Sequence, residues 1–389
     1  MPGLLMTPER EQIRESVQAL CDQFNDEYWL ERDLTHTWPT EYHEAMKQAG
    51  WMGITIPEEY GGAGLGVTEA ALLMQVVGGS AGAIAACSTI QAGIFGPHAV
   101  TVHGTEEQRA RLLPRLATGE DQAAFGVTEP DAGLDTTRIS TRAVKKGDRY
   151  VVNGQKVWTS TAKVANKLML LTRTTPIEQC RRPTEGMTLF CTDLNRKYIE
   201  VQEIEKLGRA AVDSNAIYIS DLEVPEEDRI GAEGEGFRVL LDSLNPERII
   251  IAAEVVGLGR RALRMAAEYA KERVVFGRPI GKNQSIQHPL AESWMELEAA
   301  DLMTWRAAEL YDSGASCGAE ANAAKYLAAE ASFRACDRAV RTHGGFGYAK
   351  EYHVERYLRE TILPRIAPVS RELILCFIAE RMLGLPKSY

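Results

Sequence analysis

No run of about 18 apolar residues occurs in the 389-residue chain, so no membrane-spanning helix is expected. The first residues, MPGLLMTPEREQ, lack a basic segment followed by an apolar one, so no signal peptide is expected and a cytoplasmic location is. Cysteine is sparse: seven residues, an odd number at wide spacing, with no CxxC. That pattern argues against a disulfide framework and a zinc site, and predicts free thiols and no bound metal. Positive charge is in deficit, 44 Lys and Arg against 54 Asp and Glu, a net charge of −10. A basic nucleic-acid-binding face is therefore not expected. There is no internal repeat and no low-complexity tract. What is present, 45% hydrophobic and 25% charged residues, is the balance of a folded soluble protein of two or three domains.

The chain changes character twice. Residues 1–120 read as helical, starting with Thr7 as a cap before Pro8 and Ile13, Val17, Leu20 and Phe24 on one face. Residues 121–228 read as strands: 167–174, 187–194 and 215–224, with a hairpin placed at Asn153-Gly154 inside YVVNGQKVWTS. Residues 229–389 are helical again, over 248–273, 286–312, 319–342 and 371–383. Strands and helices kept apart in sequence imply an α+β fold.

Four segments carry candidate chemistry. The glycine-dense 50–66 loop is not among them, because Pro57-Glu58-Glu59 separates it from any preceding strand, against a dinucleotide-binding turn. AFGVTEPDAGLD (124–135) offers the Thr128 hydroxyl and a close backbone approach at Gly133, or is a plain strand and turn. VWTS (157–160) pairs a large aromatic with two hydroxyls, or is a buried Trp in a strand. ERVVFGRPIGKNQSIQH (272–288) places Arg273 at a helix end, where it caps carbonyls or grips a phosphate. RTHGGFGYAKEYHVER (341–356) has glycines at 344, 345 and 347, for a helix cap or a ligand.

Together, in this order, these segments resemble the acyl-CoA dehydrogenase family, over nearly the whole chain from GWMGITIPEEYGG onward. The resemblance implies an N-terminal helical domain, a central β-domain and a C-terminal four-helix bundle. It implies FAD between the last two, a homo-oligomer that is usually a tetramer, an acyl-CoA substrate of fatty acid metabolism, and an electron-transferring flavoprotein as acceptor. Carried over residue by residue, the ring lies against Phe125, Val127, Thr128, Trp158 and Ser160, with Thr128 at its pyrimidine edge and Ser160 at its N5 side. Gly133 lets the backbone approach the cofactor. Arg273, Gln284, Arg341, Gly344 and Gly345 reach the FAD of a neighbouring subunit, with Arg341 in place of the more usual Gln. Ser370 and Glu372 match cofactor-touching positions. Leu134, Asn245 and Arg248 fall beside the substrate, Leu134 standing where most relatives have Ser.

The reaction so implied needs a carboxylate to take the α-proton of the thioester. Aligning Arg359-Glu360 on the family's Arg-Asp pair puts Pro368 at the usual base position, and proline is no base. A minority, including isovaleryl- and long-chain-specific members, carry the base on a helix, and Glu247 in LNPERIIIAAEVVG falls there, with Glu254 as competitor. Pro246 either interrupts a helix or, behind an Asn245 cap, starts one, which would put Glu247 in a first turn where the dipole lowers its pKa. Pro368 also lacks the N–H that binds the thioester oxygen in relatives, leaving Ala367 or Val369. Alternative readings are a flavin monooxygenase or oxidase on the same fold, or an inactive FAD-binding homologue.

Overall fold

The computed structural model describes residues 6–388. Seven helices come first: α1 (Pro8–Cys21), α2 (Asp26–Thr35), α3 (Thr40–Gln48), α4 (Val67–Gly78), α5 (Ala83–Phe95), α6 (Pro97–His103) and α7 (Glu106–Ala117). Thr7 caps α1 by accepting from the Arg10 N–H, with Pro8 in the first turn, as the sequence predicts. Eight strands follow: β1 (Ala123–Gly126), β2 (Arg142–Lys146), β3 (Arg149–Ser160), β4 (Lys167–Arg173), β5 (Met187–Asp193), β6 (Ile199–Glu203), β7 (Ser214–Pro225) and β8 (Arg229–Ile230). They form one sheet in the order β6-β7-β3-β2-β4-β5-β8, with β1 parallel to β4.

The third part opens with the 37-residue α8 (Gly236–Glu272). A small antiparallel pair, β9 (Val274–Val275) and β10 (Arg278–Pro279), leads to α9 (Gln284–Asp312) and α10 (Gly318–His343). Short helices α11 (Val354–Glu360) and α12 (Leu363–Ile366) precede α13 (Arg371–Arg381), which packs on α10 to complete the bundle.

The Asn153-Gly154 hairpin is corrected. β3 runs straight through it, and the turn lies at Gly147-Asp148, where Lys146 pairs with Arg149. Asn153 instead bonds Asp221 across the strands, at 3.0 and 2.9 Å. A Cβ on Gly154 would stand 2.4 Å from Thr141 Oγ1, so the glycine serves a close strand approach at a bulge.

The two helical parts share one core. Val17, Leu72 and Ile90 pack in the same cluster as Ile250, Trp305 and Ala335. α4 and α8 cross almost backbone to backbone: a Cβ on Gly257 would lie 2.2 Å from the Gln75 carbonyl oxygen. Gln75 also bonds Asp301, which pairs with Arg260, tying α4, α8 and α9 together. Gly257→Ala must push these helices apart, and is expected to lower unfolding stability by about 2–3 kcal/mol in chemical denaturation.

Candidate flavin and thioester site

The sequence places two predicted segments on one platform. Phe125 ends near Phe95 with ring centroids 4.9 Å apart, and the Thr128 carbonyl accepts from the Val157 N–H at 2.9 Å. Below them lies a buried pair that sequence reading missed. Lys156 Nζ donates to Glu129 Oε1 at 2.8 Å and to the Val127 carbonyl at 3.1 Å. Glu129 also accepts from the Ser140 and Thr141 N–H groups, at 2.6 and 3.0 Å. Burial pushes the Glu129 carboxyl up, but Lys156 and these bonds outweigh it and hold it down at about 2. A signal was available for the lysine alone: Lys156 falls with Tyr150 and Val152 on the inward positions of β3, whereas Glu129 lies in the loop after β1, where no pattern marks it.

β3 ends irregularly. Its register against β7 shifts between Lys156 and Thr159, and Trp158 has φ of 60°. The bulge buries Thr159 and turns Trp158 out, 57% exposed, rather than into the core. Gly133 and Leu134 lie in the open loop beside the platform, Leu134 64% exposed.

A second group forms on the C-terminal bundle. Tyr269, Arg273, Gly344, Gly345 and Phe346 line a cavity of about 590 Å³. Gly344 has φ of 62° and both glycines are open where a Cβ would stand, so the backbone is free to meet a ligand. Gln284 and Arg341 are exposed nearby in sequence, Arg341 pairing with Asp337 at 3.6 Å. Among the described residues no hydrogen bond, ion pair or ring contact joins this group to the β-domain platform. Ser370 does not face it either: its hydroxyl caps α13 by accepting from the Leu373 N–H at 3.2 Å, and Glu372 is exposed beside Arg371.

FAD asks for a flat apolar rest, hydroxyl or amide donors at the ring edge, and a cation with approachable backbone at the pyrophosphate. The exposed Trp158 indole, Thr128 and Ser160 supply the first two, and Arg273 with the open glycines the third, so the residues present fit the group.

The acids lie on α8. Pro246 sits inside this helix rather than starting one, so Glu247 is in its fourth turn, clear of the N-terminal dipole. Asn245 does not cap; its Oδ1 accepts from Arg248 Nη2 at 2.7 Å. Burial pushes Glu247 up to about 7, with Arg248 and Lys325 pulling the other way. Lys325, another residue that sequence reading missed, is buried on α10, and burial lowers it to about 8. Its Nζ donates to the Val369 carbonyl at 2.6 Å, fastening the loop that carries Pro368.

Glu254 lies two turns on, buried against α4, with Oε2 unpartnered. Burial raises it to about 8. Its folded pKa exceeds the ordinary glutamate value of about 4.3, so stability drains away as pH climbs toward 8. Glu254→Gln is expected to raise Tm by a few degrees at pH above 8 and to change it little near pH 5, read by thermal melts across pH.

The sequence matches the acyl-CoA dehydrogenase N-terminal domain over residues 7–120, the middle domain over 124–222 and the C-terminal domain over 234–383. It is 38% identical over 389 residues to acyl-CoA dehydrogenase FadE12 of Mycobacterium tuberculosis, covering 100% of this chain and 99% of that protein. Butyryl-CoA dehydrogenase from Megasphaera elsdenii superposes with a TM-score of 0.93 at 27% identity, covering 98% and 99% of the two chains. The FAD complex of PigA superposes at 0.92 and 27% identity, covering 98% and 99%. Fold and site thus define a flavin-dependent oxidoreductase. The chain belongs to the acyl-CoA dehydrogenase family, whose reaction is the α,β-dehydrogenation of acyl-CoA thioesters with FAD.

Proposed function

We propose that Glu247 is the general base that removes the α-proton of the bound acyl-CoA. What supports this reading is the placement of the Glu247 carboxyl on α8, next to Arg248 and the lysine that fastens the Pro368 loop, where burial pushes it up to about 7. A base poised near working pH is both ionised and strong enough to act. FAD, when bound, accepts the β-hydrogen as hydride. The Ala367 N–H is already committed to the Leu363 carbonyl at 3.0 Å, so of the two N–H groups flanking Pro368 it is Val369 that serves the thioester oxygen. Arg248, held by Asn245, and Lys325 lend positive charge to the developing enolate, and Leu134 flanks the substrate entrance. The ionised form of Glu247 is the active one. kcat/KM is therefore expected to rise about tenfold per pH unit below about 7 and to level off above it; a profile flat from pH 5.5 to 8 would remove Glu247 from the role.

Assembly supports the second site. Phe276 at the β9–β10 tip is fully exposed, and Trp294 and Met295 on α9 are 58% and 57% exposed, an apolar surface suited to a second copy. A homo-oligomer, of the tetrameric kind that the family resemblance implies, brings Arg273, Gln284, Arg341, Gly344 and Gly345 to the FAD of a neighbour, and the same resemblance puts Ser370 and Glu372 at cofactor-touching positions. Among the described residues no helix is long and apolar enough to cross a membrane. All seven cysteines are free, in keeping with a reducing cytoplasm, and the family resemblance makes an electron-transferring flavoprotein the acceptor.

A further inference from the structure

The loop between β6 and β7 holds an arginine that the mechanism above leaves unused. Arg209 is 9% exposed, with φ of 55°. Its Nη1 donates to Ser88 Oγ at 2.9 Å, and its Nη2 to Ser160 Oγ at 3.2 Å and Ser214 Oγ at 3.1 Å. The three hydroxyls come from α5, the last residue of β3 and the first of β7, and Ser160 and Ser214 are register partners. Among the described residues Arg209 makes no ion pair. The acids that act on it, Glu360, Glu254 and Asp213, do so from a distance. Glu360 and Glu254 each leave one carboxyl oxygen unpartnered, and burial raises them to about 7 and about 8, so they are weak counter-charges at neutral pH. A buried cation held only by neutral hydroxyls is costly, and nothing in the packing requires a charge there.

The hydrogen-bond inventory fixes a direction. A guanidinium has donors and no acceptor, so Ser160 Oγ must accept from Arg209. The Ser160 hydroxyl proton is thereby turned away from Arg209, and it meets no acceptor among the described residues. Ser160 is the residue that the proposed site puts at the N5 side of the flavin.

We propose that Arg209 is a positioning residue for the flavin: it locks Ser160 as a hydroxyl donor aimed at the N5 side of the ring and keeps a positive charge behind that donor. This rests on the placement of the ring against Trp158–Ser160. N5 of the oxidised ring accepts from such a hydroxyl, whereas hydride arrival gives N5 its own N–H and adds negative charge to the ring, so the pull toward the reduced state comes from the cation behind Ser160, without touching the substrate.

The test is the midpoint potential of the holoenzyme, by equilibration with redox dyes, with FAD content and Tm measured alongside. Arg209→Gln is expected to retain FAD while its reduced-to-oxidised flavin ratio, at a fixed dye potential, falls by about tenfold or more. Arg209→Lys keeps the charge but cannot serve Ser88 and Ser160 from one planar fork, so a smaller fall is expected, and this variant decides the matter should the glutamine protein not fold. Placed in a Ser160→Ala background, Arg209→Gln should still lower the ratio, because the cation acts on the ring with or without the hydroxyl, while the spectrum of Ser160→Ala alone reports the contact at N5. Variants that lower Tm but leave the ratio unchanged, or an Arg209→Gln effect that vanishes in the Ser160→Ala background, would overturn the role of Arg209. A Ser160→Ala protein whose potential and visible spectrum match the parent would instead overturn the placement of the ring, and the inference with it.

Discussion

Glu247→Gln should retain FAD, bind acyl-CoA and reduce its flavin about 10²–10⁴ times more slowly than the parent, in anaerobic stopped-flow mixing. The size of the effect follows from how little stands in reserve. By the family resemblance Pro368 falls at the usual base position, and its side chain offers no acceptor. Glu254 is sealed between α8 and α4, with burial raising it to about 8, so at neutral pH it is mostly protonated. Glu360 is equally buried, with one oxygen committed to the Ala85 N–H at 3.2 Å. A second substitution sharpens the expectation. Pro368→Glu in the Glu247→Gln protein supplies a carboxylate at the loop and restores its missing N–H, and partial recovery of the rate is expected. A Glu247→Gln protein as fast as the parent would turn attention to Glu254 and Glu372.

Arg273→Ala should weaken FAD binding by about ten- to a hundredfold, the loss of one or two charge-assisted bonds to a phosphate, while leaving the fold of the chain intact. Arg273 is exposed. Its guanidinium lies over the Phe346 ring at 5.8 Å, at the cavity beside Gly344 and Gly345. Its side chain holds nothing in the chain's own core, and exposed positions of that kind change stability by only about 0.5 kcal/mol. Isothermal titration of the deflavinated protein with FAD, with Tm recorded in parallel, separates the two. Because Arg273 makes no contact with the Trp158 platform, the same variant should lose more FAD from dilute than from concentrated protein, as a site shared between subunits would.

The sequence makes the long elements easy to read and the irregular ones hard. α9 and α10 show their apolar periods and their glycine and asparagine ends, and both lie within two residues of the ranges predicted. The range 248–273 covers only the later part of α8, which starts at Gly236; in sequence Pro246 allows either a helix interior or a fresh start, and one missing rung out of so long a ladder is tolerated. Asn153-Gly154 misled for a similar reason. A strong turn signal was overridden by pairing with β7, and the real turn used Gly147 with φ of 66°. β1, four residues of AAFG, is too short for any pattern to reveal. At the site, motifs put Phe125, Thr128, Trp158 and Ser160 on one platform, and the structure joins their segments through Val157 and Lys156. What no motif revealed are the charges beneath: Lys156 with Glu129, Lys325 under the Pro368 loop, and Arg209 behind Ser160. Each is made by residues far apart in the chain, and only packing brings them together.

The central claim is that this chain oxidises an acyl-CoA thioester at its FAD with Glu247 as base. The direct measurement mixes the parent holoenzyme, and its Glu247→Gln variant, with a panel of saturated acyl-CoA thioesters without oxygen, and follows the visible colour of the flavin. The parent should bleach with at least one member of the panel and the variant should keep its colour over the same time. A parent flavin that dithionite reduces but no thioester bleaches, or a variant that bleaches alongside the parent, would contradict the account.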